Sequence, residues 1–200
     1  MPISATFQRA FQCSGLSFSN TQTLTAEVAP PFSVTLPVAK VGTLSTRASD
    51  TAGTLTMAAG HGITTGQRLD IYWVGGSCRG ATVGTVATNS VPFTLATGDV
   101  LPAATTAITA MVPTSNTLAV PGDDLVGYAV NCPVGGTVVF ATSGDTEVAA
   151  SVRTVTAPSE VVSVADGTNP FASATVAKVF LSHGSIAAAS TLTGVVMYDD

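Results

Sequence analysis

The chain has 200 residues, 46% of them hydrophobic and only 10% charged, with seven basic against twelve acidic residues and a formal net charge of −5. That length can bury a real core in one large or two small domains. The acidic balance and the wide scatter of Arg9, Lys40, Arg47, Arg68, Arg79, Arg153 and Lys178 exclude a basic run able to neutralise a row of phosphates, so no specific nucleic-acid binding is expected.

An average soluble domain is about one-quarter charged, and a lone monomer normally needs more charge than this chain has to stay dissolved. Much of the exterior is therefore expected to lie against other chains. The start, "MPISATFQRAFQ", has no basic region followed by an apolar core, so no secretory signal is expected. No apolar stretch of about 18 residues occurs, and no membrane span is expected. Cys13, Cys78 and Cys132 are widely spaced and form no CxxC pair. They read as small buried thiols, not as a disulfide framework or a zinc site.

Thr and Val are β-branched and suit a pleated sheet better than a helix. Gly and Pro punctuate the chain at intervals of roughly 8–12 residues, the spacing of a sandwich or barrel. The expected fold is all-β: two small β-barrel or sandwich domains preceded by an extended N-terminal β arm. Residues 1–40 form the arm or first strands, 41–113 a small barrel, and 114–200 a C-terminal sandwich.

In the arm, "TQTLTAEV" puts Leu24, Ala26 and Val28 on one face, and Pro30, Pro31 and Pro37 belong at edges or turns. This segment suits either a first pair of strands or an arm that pairs with a neighbouring subunit. Its candidate subunit contacts are Phe7, Phe11 and Phe18. Next, "GTLSTRASDTAGTLTM" reads as a hairpin around Ser49 to Gly53, with GTL opening both strands. The turn residues Gly60, His61, Gly62 and Gly66 then lead into "QRLDIYWV". Alternation there places Leu69, Ile71 and Trp73 inward, with Asp70 and Tyr72 outward. Gly75 and Gly76 are expected to supply the positive φ values of a tight hairpin turn. The strands "SCRGATVGTV", "SVPFTL" and "TAITAMV" complete the barrel. Tyr72 and Arg79, outside the core, are further candidate subunit contacts.

"PTSNTLAVPG" (Pro113 to Gly122) reads as a linker. Beyond it, "DLVGYAV", "GTVVFAT", "TEVAASVRTV", "SATVAKVFLSH" and "TLTGVVMYD" read as strands, and "GSIAAAS" is a possible short helix.

No reactive constellation is legible. His61 and His183 are far apart in sequence, no serine sits in a GxSxG elbow, and Asp123-Asp124 and Asp199-Asp200 are adjacent pairs that point to opposite faces of a strand. Neither a metal, nor another cofactor, nor a catalytic residue is expected, and His61 reads as a structural turn residue. Trp73, a candidate sugar-stacking platform, falls in register with the core instead.

"AAGHGITTGQRLDIYW" resembles a turn-and-strand motif of tailed-bacteriophage structural proteins, of the form His-Gly-aliphatic-x-Thr-Gly-(Asp or Gln)-x-hydrophobic. It is similar to small barrel modules labelled by their likeness to an insert of the ubiquitin-activating enzyme. The match covers about Gly60 to Trp73, with Gln67 at the position usually held by Asp. The resemblance implies a virion component, assembled in the host cytoplasm, and transfers no catalytic residue. Its expected partners are copies of itself and other virion proteins, such as the major capsid or tail proteins. The resulting expectation is a non-enzymatic capsid-surface decoration protein or tail (tube) subunit. The alternative is a receptor- or carbohydrate-binding surface module or adhesin, with Trp73 or Tyr128 exposed in a groove.

Overall fold

The computed structural model describes residues 26–28, 32–96, 99–117, 125–131, 134–142, 144–147, 153–156, 159–163, 178–185 and 190–199. Phe7, Phe11 and Phe18, and the possible helix in "GSIAAAS" beyond Ser185, lie outside these residues. Among the described residues every regular element is a strand, and no helix is long and apolar enough to cross a membrane. The chain forms two compact units, Thr35–Thr114 with Ser182–Ser190, and Met1–Val34 with Ser115–Leu181 and Thr191–Asp200.

The first unit is a closed six-stranded antiparallel barrel. Its strands are β3 (Lys40–Arg47), β4 (Ala52–Met57), β5 (Arg68–Trp73), β6 (Gly76–Val83), β7 (Ser90–Thr94) and β8 (Ala107–Met111), closed in the order β3-β4-β7-β6-β5-β8. The repeated GTL is the first strand pair: Leu44 of one copy lies opposite Leu55 of the other. Both leucines point into a core shared with Met57, Leu69, Ile71, Val83, Val91 and Phe93. Burying each such side chain contributes about 1.5–3 kcal/mol. Gly53 is required by closure, because a Cβ there would stand 2.6 Å from the Thr46 carbonyl oxygen and 3.0 Å from Leu44 Cδ1.

Alternation leaves hydroxyls on the outside of the same strands. Thr43 pairs with Thr56, and Thr56 with Ser90, in one row across β3, β4 and β7. Thr46 pairs with Thr54 in the next row. A third row joins Thr94 of β7 to Thr82 of β6. Thr56, Ser90, Thr94 and Thr82 are all exposed.

The second unit is built from two sheets. The five-stranded sheet runs β1 (Ala26–Val28), β15 (Ser190–Asp199), β10 (Leu125–Asn131) and β13 (Ser159–Ser163), with β2 (Phe32–Leu36) also pairing β15. The four-stranded sheet runs β12 (Arg153–Thr154), β11 (Thr137–Ala141), β14 (Lys178–Ser182) and β9 (Thr114–Thr117). Strand β11, "TVVFA", is buried at every position. Its unbroken apolar run is that of a strand covered on both faces. Val139, Ala141 and Phe180 form its core cluster. Thr114–Thr117, read from sequence as linker, is strand β9. Its Thr-Ser-Asn-Thr carries no apolar alternation to announce a strand.

Candidate functional site

The outer side of β5 carries the one dense polar cluster of the barrel unit among the described residues. Alternation sends Arg68, Asp70 and Tyr72 outward while Leu69 and Ile71 enter the core. Asp70 is nevertheless 1% exposed. It points outward from the barrel wall, as the alternation predicts, but lies beneath the turn that follows β14.

Three groups meet its carboxylate. The Gly80 N–H donates to Oδ1 at 2.8 Å, the Ser182 hydroxyl donates to Oδ2 at 2.6 Å, and Arg68 Nε stands 3.9 Å from Oδ1. Tyr72 Oη lies 2.5 Å from Ser182 Oγ. Because the single Ser182 proton is directed at Asp70, the Tyr72 hydroxyl is the donor to Ser182. The chain Tyr72 to Ser182 to Asp70 therefore runs in one direction and ends on a buried carboxylate.

A β-bulge makes the Gly80 contact possible. Leu69 pairs with Ala81 and Ile71 with Cys78, so Asp70 faces two residues, Arg79 and Gly80. Gly80 adopts φ 68°, and a Cβ there would meet the Arg68 guanidinium at 3.2 Å. Arg79, read as a subunit contact, sits half-buried in this bulge.

The covering turn, 182–185, is held at several points. The Thr109 hydroxyl donates to the Gly184 carbonyl at 2.7 Å, and the His183 N–H points at Met111 Sδ at 3.3 Å. Gly184 lies flat on the Tyr72 ring, where a Cβ would stand 2.5 Å from Cγ. Tyr72, the candidate subunit contact on β5, is thus half-buried under its own chain.

The two histidines use one local device. The Ile63 N–H donates to His61 Nδ1 at 3.0 Å, and the Ser185 N–H donates to His183 Nδ1 at 3.0 Å. In each His-Gly-x turn the ring caps the amide two residues on. With Nδ1 accepting, His61 carries its proton on Nε2, which donates to the Thr88 carbonyl at 2.9 Å. Thr88, whose carbonyl accepts this bond, takes φ 48°, a costly conformation for a β-branched residue. Gly60 and Gly62 both take φ 75° and Gly66 takes φ 82°, as turn positions require. Gln67 Oε1 accepts the Thr64 N–H at 2.8 Å, a task that needs an acceptor and no charge.

Of the two glycines at the β5–β6 turn, only Gly75 has positive φ, at 91°. The expectation that Gly76 shares that role is corrected. Gly76 is needed because the Trp73 ring lies on it, and a Cβ would stand 2.7 Å from Cζ2. Trp73 packs against the barrel core, half-buried.

Cys78 is fully buried, and its thiol is pushed up to about 12 by burial first, then by the Asp99 and Asp70 carboxylates, with Arg79 opposing. The neutral thiol is a poor nucleophile. Among the described residues no three His, Cys, Asp or Glu side chains gather as a metal site. The Ser182 hydroxyl donates to the Asp70 carboxylate with both residues 1% exposed, and the adjacent His183 Nδ1 accepts the Ser185 N–H of its own turn. What the arrangement does is fix residues 182–185 against β5 and β8.

Sequence reasoning missed Ser182 and Gly80 as partners of Asp70. The available signal was the carboxylate itself, set between Leu69 and Ile71 in an otherwise apolar run. Comparison with protein families, with curated proteins and with solved structures finds no match for the chain.

Proposed function

We propose that this chain is a non-enzymatic structural protein that assembles in many copies, as a capsid-surface decoration protein or a tail subunit of a tailed-phage virion. The observation that carries the reading is a closed barrel whose outer rows across β3, β4, β7 and β6 are mostly hydroxyls, interrupted by Pro92 and Ala52 and by no charge, in a chain only 10% charged. Such a surface gains more from contact with similar surfaces than a highly charged one does. The side chains best suited to chemistry support the same reading, since His61, His183, Ser182 and Asp70 are engaged with their own chain.

In this reading the second unit is a separate sandwich domain, β1 and β2 of the segment 1–40 belong to its own sheet, and residues 1–25 before them provide an arm toward a neighbouring copy or the major capsid or tail protein. Packing of Trp73 on Gly76 weighs against the alternative of a glycan-stacking platform.

Negative-stain imaging of the purified protein tests the proposal. Long tubes indicate a tail subunit, and closed rings or trimers indicate decoration. A field of dispersed monomers that also fail to decorate phage shells overturns the reading.

A further inference from the structure

We infer that the hydroxyl face formed by β3, β4, β7 and β6 is a self-association surface, and that its occupant is the same face of a second copy. This rests on the many-copy reading above and names the surface that such assembly would use. At its centre are Thr54 and Thr56 of β4, flanked by Ser90 and Thr94 of β7, with Thr82 of β6 beyond.

Charge complementarity selects the occupant. The rows Thr43–Thr56–Ser90, Thr46–Thr54–Pro92 and Ala52–Thr94–Thr82 contain no ionisable side chain. Of the cations on the barrel strands, Arg47 meets Asp50 at 2.5 Å and Arg68 lies 3.9 Å from Asp70, while Arg79 sits half-buried in the β6 bulge and Lys40 half-buried at the start of β3, both outside these rows. A charged partner would bury its ions against this face with nothing to compensate them, which is costly. The fitting partner is therefore neutral.

Hydroxyls narrow the choice further. Each one both donates and accepts, so a hydroxyl surface is complementary to itself, as carboxylate or ammonium surfaces are not. The side-chain hydroxyls of Thr56, Ser90, Thr94 and Thr82 have no partner among the described residues and are open to such pairing. A two-fold axis through the face satisfies both copies with one patch. Closure of the barrel removes the other route, because β4 and β7 each have neighbours on both sides and offer no edge to an added strand.

The experiment is sedimentation velocity on the full chain across a concentration series, with circular dichroism as a check on folding. Thr56→Lys and, separately, Thr94→Lys each bury an ammonium of both copies in a face that holds no carboxylate to meet it. Each is expected to weaken association at least ~10-fold while the β signal is kept. Thr64→Lys, in the His61 turn and off the face, is expected to associate as the unmodified chain does. A mixture of Thr56→Lys with Thr56→Glu is expected to regain association. If the unmodified chain associates and both face variants do so equally well, the face is not the interface and this inference fails, while the many-copy reading stands. If the unmodified chain stays monomeric to millimolar concentration, both fail.

Discussion

Asp70 is the residue whose role depends most on its surroundings. A carboxylate at 1% exposure persists because Gly80, Ser182 and Arg68 meet it. Removing one hydrogen-bond donor leaves the others in place, so Ser182→Ala is expected to cost about 1–3 kcal/mol. Tyr72→Phe removes the outermost bond and is expected to cost about 0.5–1.5 kcal/mol. Urea unfolding midpoints check both, and equal midpoints for Ser182→Ala and the unmodified chain would show that the chain of hydrogen bonds adds no stability. Cys78 gives a pH test. Its pKa is raised in the fold from an ordinary 9.0 to about 12, so the folded chain keeps a proton that the unfolded chain loses. Stability from this group is complete below pH 9.0 and is lost as pH rises through about 12. Cys78→Ala is expected to show a shallower fall of the urea midpoint over that window than the unmodified chain, and parallel falls would contradict the assignment.

Between strands, the barrel was legible wherever alternation is unbroken. Leu44 opposite Leu55, the turn at Gly75 and the inward Leu69 and Ile71 all follow from period-two patterning and turn chemistry. What escaped was the bulge at Arg79-Gly80, because one extra residue shifts the register without changing composition. The burial of Asp70 escaped for another reason: its cover, Ser182, lies 112 positions away, beyond any local pattern. The roles of Gly76 and Gly80 were likewise invisible, since one is set by an aromatic ring across the hairpin and the other by a carboxylate. Gly80→Ala tests the bulge. It forces a side chain into φ 68° and brings a Cβ to 3.2 Å from the Arg68 guanidinium. The expected loss is about 1–3 kcal/mol. Thermal melting of the variant checks it, and an unchanged melting temperature would mean that the bulge relaxes freely.

At the scale of the whole chain, the question is how assembly separates from folding. The barrel core is complete within Thr35–Thr114, and β1 enters the other unit by pairing Ala26 with Asp199, Glu27 with Tyr198 and Val28 with Met197. Residues 1–25 precede every described strand, so removing them leaves all of that pairing intact. Removal of 1–29 also takes β1, and with it the pairing to β15. The two truncations therefore separate an assembling arm from a strand of the fold. If the arm serves neighbouring copies, deletion of 1–25 abolishes assembly by light scattering while the β circular-dichroism signal and the melting temperature hold. Deletion of 1–29 should then add a loss of stability, because β15 keeps β10 along its flank but loses its partner at residues 197–199. An equal collapse of the β signal in both would place residues 1–25 in the core and remove the arm from the assembly account. The hydroxyl face would then have to supply the contacts between copies without it.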